Sequence, residues 1–430
     1  MADLHKLARM LQELDDQMVA CMKCGMCQAV CPVFAETLNE SDVTRGKIAL
    51  LENLAKEMIV DAKGVQDKLN KCLLCGSCAA NCPSGVKIMD IFLRARVIVN
   101  GYMGLSATKK AILKGMLTRP ALFNGLVSLA SKFQGIFTQP ADELIGSSCS
   151  KFLSPVIGDR HFMPLDKVPL HKRVPKLNTA AGASGLKVAF FPGCLVDKIF
   201  PRIGDAVLKV MKHHGVGVYL PSGQACCGIP ALSSGDRESF DKLVKANAKL
   251  FAKGQFDVLV TPCATCTATI KEIWPKFAGD YEAGIKADVL AMSDKAMDVN
   301  QFLVDKVGVS AVQAPTGGTR VTVHDPCHLV KSLGVKTQPR TVITANKGYE
   351  IVEMAEADRC CGCGGSFNLN HYDVSKRIGE RKRANIAASG ADVVATGCPA
   401  CMLQISDMLS QAGDHISVRH PIEIYAETLD

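Results

Sequence analysis

One run of cysteines occurs twice within the first hundred residues of this chain. It reads CMKCGMCQAVCP from Cys21 to Pro32, and CLLCGSCAANCP with the same spacing from Cys72 to Pro83. Each copy has three cysteines separated by two residues, then a fourth cysteine directly before a proline. Loops this tight suit thiolates around a metal centre and are too short for a useful disulfide framework. The spacing therefore predicts two metal-binding loops.

The spacing is that of bacterial two-cluster ferredoxins, in which the fourth cysteine of each run binds the cluster of the other run. By this crossing rule, one cubane 4Fe–4S cluster is bound by Cys21, Cys24, Cys27 and Cys82. The second cubane is bound by Cys72, Cys75, Cys78 and Cys31. Zinc sites usually use two Cys-x2-Cys pairs that lie far apart, so these triple runs favour iron.

The segments around the two runs have helical periodicity. Helices are predicted over residues 4–18, from Thr44 onward, and over residues 86–99. Residues 1–100 thus resemble the all-helical ferredoxin domain of fumarate-reductase-type iron–sulfur subunits. Residues 101–150 are also predicted to be helical. The Pro, Gly, Ser and basic residues of 154–186 predict a linker with an exposed stretch at 166–175.

A second cysteine pattern also occurs twice, between residue 187 and the end of the chain. A lone cysteine is followed by Cys-Cys-Gly and then by Cys-x2-Cys, and corresponding cysteines are offset by 133 to 135 residues. The first set is Cys194, Cys226, Cys227, Cys263 and Cys266. The second set is Cys327, Cys360, Cys361, Cys398 and Cys401. Four of these cysteines directly follow short apolar strands, and helical segments lie between the strands, which predicts two α/β halves with parallel sheets.

In such sheets, ligands bind at the carboxyl ends of the strands, where the lone cysteines and the first cysteines of the Cys-x2-Cys pairs lie. Two consecutive thiolates can bind two neighbouring irons, and Gly228 and Gly362 let the backbone turn beside them. The alternative for each five-cysteine set is an ordinary cubane cluster, or a zinc ion bound by four of the five cysteines. Cys149 is predicted to be a plain thiol, and Cys363 is either a sixth ligand or a bystander.

Several polar residues outside the cysteine sets are also candidates for a role. His324 and His328 flank Cys327, and a hydrogen bond from either to a cluster sulfur would raise its potential. Packed core histidines are the alternative. The basic residues of 376–383 are interpreted as a solvated helix face.

The composition excludes several classes of function. The formal charge is +8, yet with one Trp and six Tyr there is no basic stripe interleaved with aromatic residues, so no nucleic-acid binding is expected. No P-loop or strand-linked Gly-x-Gly-x-x-Gly motif is present, so no nucleotide site is predicted. The thiols indicate a reducing compartment. Without a signal peptide or a spanning apolar run, a cytoplasmic location is expected, with any membrane association through partners.

The second pattern resembles the cysteine-rich, or CCG, domain, which occurs twice in the catalytic subunit of heterodisulfide reductase and in iron–sulfur subunits of glycolate oxidase and lactate-utilisation dehydrogenases. Two ferredoxin runs followed by two CCG domains cover nearly the whole chain. This order is similar to the glycolate/D-lactate dehydrogenase iron–sulfur subunit, and to the related fused catalytic chain of the membrane-linked heterodisulfide reductase. The resemblance implies a further iron–sulfur cluster, of the non-cubane 4Fe–4S type, at each five-cysteine set.

The expected fold class is α+β multidomain, with an N-terminal all-helical two-cluster ferredoxin domain followed by a duplicated α/β CCG domain. The expected bounds are 1–100, 101–186 for the helical segment and linker, 187–315 and 316–430. The resemblance implies an oxidoreductase subunit that passes electrons from an FAD-containing dehydrogenase subunit, oxidising D-lactate or glycolate, to a quinone, a membrane quinone-reactive subunit or another carrier.

On that interpretation the chain itself has no catalytic residue. The alternative is a heterodisulfide reductase-type subunit, in which Cys226, Cys227, Cys360 and Cys361 are the catalytic candidates. Both Cys-x2-Cys pairs are complete here, whereas typical glycolate oxidase subunits have lost parts of them. This places the chain nearer to the lactate-dehydrogenase and heterodisulfide-reductase relatives.

Overall fold

The computed structural model describes residues 4–152, 158–312 and 317–429. The chain forms two compact units, and neither is continuous in sequence. The first unit contains residues up to 118 together with two inserted segments, 228–242 and 362–379. The second unit contains the remainder. The domain bounds expected from the sequence stay a prediction, and the boundary at 315/316 lies outside the described residues.

The first unit is helical. Its core is built from apolar side chains spaced three or four residues apart, such as Leu7, Leu11, Ile48 and Leu51, which are fully buried. The predicted helix over 4–18 is interrupted at Glu13. The helices of the first unit, including a 3₁₀ turn and a π-helical stretch, are Leu4–Gln12, Asp15–Val19, Met26–Val30, Pro32–Thr37, Glu40–Asp42, Thr44–Ala55, Ala62–Asn70, Ser77–Ala80, Ile88–Met103, Ala107–Lys110 and Ala111–Leu117.

The inserted segments pack against the ferredoxin-type part of the same unit. The Arg96 guanidinium donates to Leu69 O (2.6 Å), Cys72 O (2.8 Å) and Ser233 O (2.8 Å), so it joins the first inserted segment to the second cysteine loop. Gly235 has φ +78°, and a Cβ there would lie 2.5 Å from Arg96 O. Only glycine allows this close approach.

The second unit begins with a helix and a hairpin. The helix Pro120–Phe137 leads into strands β1 (Thr138–Asp142) and β2 (Ser147–Ser150), which pair antiparallel. The prediction that residues 101–150 are helical is therefore wrong over 138–150. Pro140 has no backbone N–H and cannot donate a hydrogen bond to the partner strand. It is tolerated here because β1 is an edge strand of a two-stranded ribbon.

The first α/β half contains a five-stranded sheet. Its strands are β3 (Leu177–Asn178), β4 (Lys187–Phe190), β5 (Gly217–Leu220), β6 (Val258–Thr261) and β7 (Ala296–Asp298). Their order is β3-β5-β4-β6-β7, and only β3 is antiparallel. The β6 residues are all buried, as expected for a central parallel strand covered on both faces.

The second α/β half repeats this topology. Its strands are β8 (Thr319–Val323), β9 (Tyr349–Ile351), β10 (Val393–Ala395) and β11 (Ser417–Arg419), in the order β11-β10-β8-β9, all parallel. When the parallel strands are numbered within each half, leaving out the antiparallel edge strand β3, both sheets follow the order 2-1-3-4. Strand order reverses between strands 1 and 3, so both halves present a ligand-binding crevice at the carboxyl ends of β4/β6 and β8/β10.

The helices of the second unit cover these sheets. They are Leu170–Arg173, Gly193–Lys198, Pro201–His213, Ala264–Ala268, Trp274–Phe277, Ala283–Lys295, Val299–Phe302, Thr337–Thr344, Pro399–Ala412 and Pro421–Ala426, with π-helical stretches Thr269–Ile273, Leu303–Val307 and His328–Ser332. Ile229–Ser233 and Ser366–Asn370 lie in the inserted segments, and Arg237–Phe251 and Tyr372–Ala388 begin there. In the described part of the chain, no helix has the length and apolar character to cross a bilayer.

Residues 166–175 are only in part the exposed linker that their composition suggests, since Lys167, Lys172 and Arg173 are exposed but Leu170 is not. Leu170 is 1% exposed and packs where Gly204 leaves no room for a Cβ. His171 bonds to Asp197, and Arg173 pairs with Asp166 and Asp205. The charged side chains of this stretch therefore hold it against the first α/β half.

Candidate metal centres

Each ferredoxin-type loop contains two residues with a left-handed backbone conformation, and these residues set the path of the loop. In the first loop they are Lys23 (φ 57°) and Gly25 (φ 87°), and in the second they are Leu74 (φ 52°) and Gly76 (φ 71°). Non-glycine residues seldom adopt this conformation. Because Lys23 and Leu74 occupy the same place relative to their cysteines, both loops follow the same backbone path.

The structure brings cysteines of the two runs together. One pocket is lined by Cys21, Cys24 and Cys27 of the first run and by Cys82, with Cys78 also at its wall. The thiol neighbours of Cys31 are Cys72 and Cys75 of the second run. The fourth cysteine of each run thus lies with the first cysteines of the other, as the crossing rule requires, although ligation itself stays a prediction.

The buried thiols of this region resist ionisation on their own. Burial, together with the neighbouring Cys72 thiol, raises the pKa of the Cys31 thiol to about 11. Burial also raises the pKa of Cys78. Thiolates are the metal-binding form. Thiolates buried this close together are stable only when cations neutralise them, so metal binding and thiol deprotonation are linked.

The Thr44–Ala55 helix begins between the two cysteine groups. Thr44, Arg45 and Ile48 line the pocket of Cys21, Cys24, Cys27 and Cys82. Lys47 points elsewhere: it is 2% exposed, its ammonium donates to the Asp42 carbonyl, and Cys72 and Cys31 are its main charged neighbours. Burial lowers the pKa of Lys47. The sequence pattern predicted only a helix start here and carried no signal for the buried lysine.

In the first five-cysteine set, the sheet positions two cysteines and the backbone is held by polar side chains. Cys194 follows β4, and Cys263 follows β6 as the N-cap of the Ala264–Ala268 helix, with Cys266 N donating to its Sγ (3.4 Å). Asn247 Nδ2 donates to Cys226 O (3.0 Å), and Trp274 Nε1 donates to Cys227 O (2.9 Å). The adjacent pair is thus fixed from both sides.

The thiols of this set lie in contact. Contact with Cys226 and burial raise the pKa of Cys194, and contact with Cys227 and with Cys263 raises that of Cys266. A Cβ on Gly193, which has φ +75°, would lie 3.0 Å from Cys266 Sγ. The structure therefore brings all five predicted cysteines of the first set to the crevice of the first sheet.

The second set has the same arrangement with a histidine added. Cys327 follows β8, and Cys398 is the N-cap of the Pro399–Ala412 helix. Ligand atoms of His324, Cys361 and Cys401 lie within 4.8 Å of one another, and all three residues are buried. His324 Nδ1 contacts Ala357 O at 3.2 Å. His324 is therefore in contact with this set, whereas Nδ1 of His328 contacts Thr265 Oγ1 at 3.2 Å.

The two five-cysteine sets meet within the second unit. The thiols of Cys263 and Cys398 are in contact, and Thr265 Oγ1 lies 3.4 Å from Cys398 Sγ. Ala264 N donates to Gly397 O at 3.0 Å. Because the two helix N-termini abut at these residues, the two metal-binding crevices face each other across the halves. Sequence spacing carries no signal for this contact.

Buried lysines accompany the cysteine groups. Lys382 is 1% exposed and donates to Glu356 O (2.5 Å) and Ala357 O (3.2 Å), and Cys361 and Cys327 are among its charged neighbours. The interpretation of 376–383 as a solvated face is therefore wrong for Lys382. Lys198 is 7% exposed, and its ammonium partly opposes the rise in the pKa of Cys194 that Cys226 and burial cause. Such ammonium groups offset the negative charge of thiolate-bound clusters.

Two further cysteines lie outside these groups. Cys149 is in β2 and accepts from Gln139 Nε2 at 3.7 Å. Cys363 is half-buried in the second inserted segment of the first unit, and neighbouring Gly364 packs against Leu73. The choice between ligand and bystander for Cys363 stays open.

A helical unit with two ferredoxin-type loops and a duplicated α/β unit with two five-cysteine sets define an iron–sulfur protein. The family model for a 4Fe-4S dicluster domain matches residues 17–86, and the model for a Cysteine-rich domain matches 188–271 and 321–406. These matches confirm the predicted fold class, with a helical ferredoxin region followed by a duplicated α/β domain.

Curated relatives match long stretches of this chain. Lactate utilization protein A of Macrococcus caseolyticus is 35% identical over 239 residues, which are 56% of this chain and 96% of that protein. The probable glycolate oxidase iron-sulfur subunit of Bacillus subtilis is 29% identical over 409 residues, 93% and 90% of the two chains. The chain belongs to the family of iron–sulfur subunits with cysteine-rich domains that includes lactate utilization protein A, which confirms the resemblance.

A third relative is longer than this chain. It is one of the subunits of the fumarate reductase (CoM/CoB) of Methanothermobacter marburgensis, and it is 34% identical over 266 residues, which are 58% of this chain and 50% of that protein. This chain thus matches about half the length of that relative.

Proposed function

We propose that this chain is the iron–sulfur electron-transfer subunit of a complex that oxidises a 2-hydroxy acid, D-lactate or glycolate. An FAD-containing partner subunit oxidises the substrate, and electrons pass through this chain to a quinone, a membrane quinone-reactive subunit or another carrier. The observation that carries the proposal is the presence of four complete cysteine groups in this chain, and the matches to lactate utilization protein A and to a probable glycolate oxidase iron-sulfur subunit support it.

The cysteine groups define the cofactors in this proposal. Two cubane 4Fe–4S clusters are held by Cys21, Cys24, Cys27, Cys82 and by Cys72, Cys75, Cys78, Cys31. Two further clusters, of the non-cubane 4Fe–4S type, are held by the five-cysteine sets. When bound, these clusters supply one-electron transfer. The protein buries nine of the ten cysteines of the five-cysteine sets, fixes the cysteine backbones through Asn247 and Trp274, and places buried ammonium groups beside the thiolates.

Substrate oxidation is assigned to the partner because hydride chemistry needs an organic cofactor, and this sequence has no motif for one. The isolated holoprotein should therefore be redox-active and unable to oxidise D-lactate. The test is rapid mixing of the anaerobic complex with D-lactate while flavin and iron–sulfur absorption are followed separately. Flavin should be reduced first, and the iron–sulfur bands should bleach afterwards.

Variants of single cysteines distinguish electron transfer through this chain from substrate oxidation by the partner subunit. Cys226→Ser or Cys360→Ser should block reduction of the final acceptor and leave the flavin reducible by substrate. Cys149→Ser, outside every cysteine group, is the matched control and should transfer electrons normally. Oxidation of D-lactate by the isolated chain, or zinc in place of iron in an anaerobic preparation, would contradict the proposal.

A second candidate function is cleavage of a disulfide. The contact between the two five-cysteine sets at Cys263 and Cys398 supports it, since an anionic disulfide bound at this junction would meet both sets. On this alternative Cys226, Cys227, Cys360 and Cys361 take part in the chemistry. It is favoured if the isolated chain reduces a heterodisulfide with an artificial electron donor, and if a haem-containing membrane subunit copurifies without a flavoprotein.

A further inference from the structure

The helix Pro120–Phe137 presents its apolar side chains to solvent. Six large apolar residues are each at least 40% exposed, namely Leu122, Leu126, Leu129, Phe133, Ile136 and Phe137. At about 100° per residue they fall within an arc of roughly 100°, which forms a continuous stripe about 22 Å long. This stripe carries no charged residue.

The polar side chains of the same helix face the protein. Ser131 is the helix residue that is fully buried, and its hydroxyl donates to Ser128 O at 3.0 Å. Gln134 exchanges two hydrogen bonds with the Leu165 backbone, at 2.8 and 2.9 Å. A helix that packs on a globular core shows the reverse pattern, with its apolar stripe inward. An exposed stripe of this size marks an interaction surface.

The charged residues of the helix and its N-cap are basic. From Arg119 to Phe137 the sequence contains no Asp or Glu, and its two charged residues are Arg119 and Lys132. Arg119, at the start of the helix, and Lys132, beside the stripe, are both exposed. Lys151 Nζ donates to Gly135 O near the helix end at 2.7 Å. A binding partner complementary to this stripe would therefore be apolar at its centre and negatively charged around it.

We propose that the Pro120–Phe137 helix lies in the interface of an anionic lipid bilayer, with the six apolar side chains of the stripe inserted among the lipids. An apolar helix face flanked by basic residues is the pattern of interfacial, monotopic helices, and anionic headgroups attract Lys and Arg near the surface. A protein partner is less well matched, because the rims of protein interfaces are usually of mixed charge, and the Pro120–Phe137 helix offers no acidic group.

This surface goes beyond the proposed function and does not depend on it, because lipid binding is measured without substrate or electron acceptor. The test is co-flotation of the anaerobic holoprotein with phosphatidylcholine vesicles, with or without about 30% phosphatidylglycerol. We expect the chain to float with the anionic vesicles and to stay at the bottom with the neutral ones. Salt should weaken binding without abolishing it, because the apolar part is insensitive to screening.

The variant Leu126→Ser/Phe133→Ser should reduce binding to anionic vesicles at least tenfold. Both side chains are exposed, so iron content and circular dichroism should match those of the wild type. Leu290→Ser is the matched control, since Leu290 is 43% exposed on a helix elsewhere in the second unit, and it should bind normally. Lys132→Gln should weaken binding to a smaller extent.

Either of two results would overturn the proposal: a wild-type chain that does not float with anionic vesicles, or a double variant that floats as well as the Leu290→Ser control. If the wild type does not bind lipid vesicles and the double variant loses a copurifying subunit, the stripe is the binding surface for a protein partner instead.

Discussion

Replacement of Arg96 by methionine should destabilise the first unit and loosen the loop of Cys72, Cys75 and Cys78. Arg96 is 3% exposed and donates to Leu69 O, Cys72 O and Ser233 O at 2.6 to 2.8 Å. Methionine has a similar length and fills the space, but it donates no hydrogen bond. The three buried carbonyls would be left without this donor.

The size of the effect follows from these bonds. A hydrogen bond to a charged group contributes about 1.5–3 kcal/mol, so three bonds set an upper bound of roughly 9 kcal/mol. The cost of burying the guanidinium is removed at the same time, which brings the expected loss to about 3–5 kcal/mol. Arg94→Met is the control, because Arg94 lies two residues away on the same helix and is only half-buried; its loss should stay under about 1 kcal/mol.

The assay is denaturant unfolding of the anaerobic holoprotein, together with the rate at which a chelator removes iron. We expect Arg96→Met to lower the unfolding midpoint and to speed iron loss, while Arg94→Met does neither. If both variants unfold within about 1 kcal/mol of the wild type and lose iron at the same rate, Arg96 does not hold the cysteine loop in place.

Three further predictions concern the charge and packing of the metal centres. Lys47→Met removes the buried ammonium beside Cys72 and should lower the reduction potential of one cubane by at least about 59 mV, a tenfold change in its reduced fraction, in a titration followed by paramagnetic resonance; Lys56→Met, at the exposed end of the same helix, is the control, and equal potentials in both would refute this role. Burial raises the pKa of Asp298 to about 6, so its contribution to stability is full below about pH 4 and is lost as the pH rises through 6. Asp298→Asn should therefore flatten unfolding curves between pH 4 and 6 and add up to about 2–3 kcal/mol at neutral pH, and an unchanged pH profile would argue against a buried charge. Gly193→Ala forces a Cβ to 3.0 Å from Cys266 Sγ on a left-handed backbone, and should remove about four irons per chain, measured by iron analysis, while both cubane signals persist.

Some features of the site were predictable from residue spacing because they depend on local geometry. The triple cysteine runs specify tight loops, and the structure gives both the same pair of left-handed residues at Lys23/Gly25 and Leu74/Gly76. The strand-then-cysteine pattern specifies parallel sheets with thiols at the carboxyl ends, as found after β4, β6, β8 and β10. The offset of the two sets specifies a duplication, and both sheets have the same strand order.

Other features were predicted wrongly because long-range contacts override local composition. The Lys and Arg side chains of 166–175 are exposed, as in a solvated linker, yet buried Leu170 and the ion pairs of Arg173 hold this stretch against the first α/β half. Lys382 lies within a basic helical run, but its face of the helix is covered. The hairpin over 138–150 directly follows an apolar helical stretch, and the apolar composition of 101–150 predicted helix throughout.

The sequence by itself determined the cofactor class, the number of cysteine groups and the duplicated α/β topology, because ligand spacing and strand periodicity act over a few residues. Only the tertiary structure decided which side chains surround those groups. The contact of Cys263 with Cys398 and the burial of Lys47 beside Cys72 join residues that are distant in sequence, and the packing of the Pro120–Phe137 helix decides that its apolar stripe faces outward. Such contacts arise from how the packed elements meet, and no local pattern encodes them.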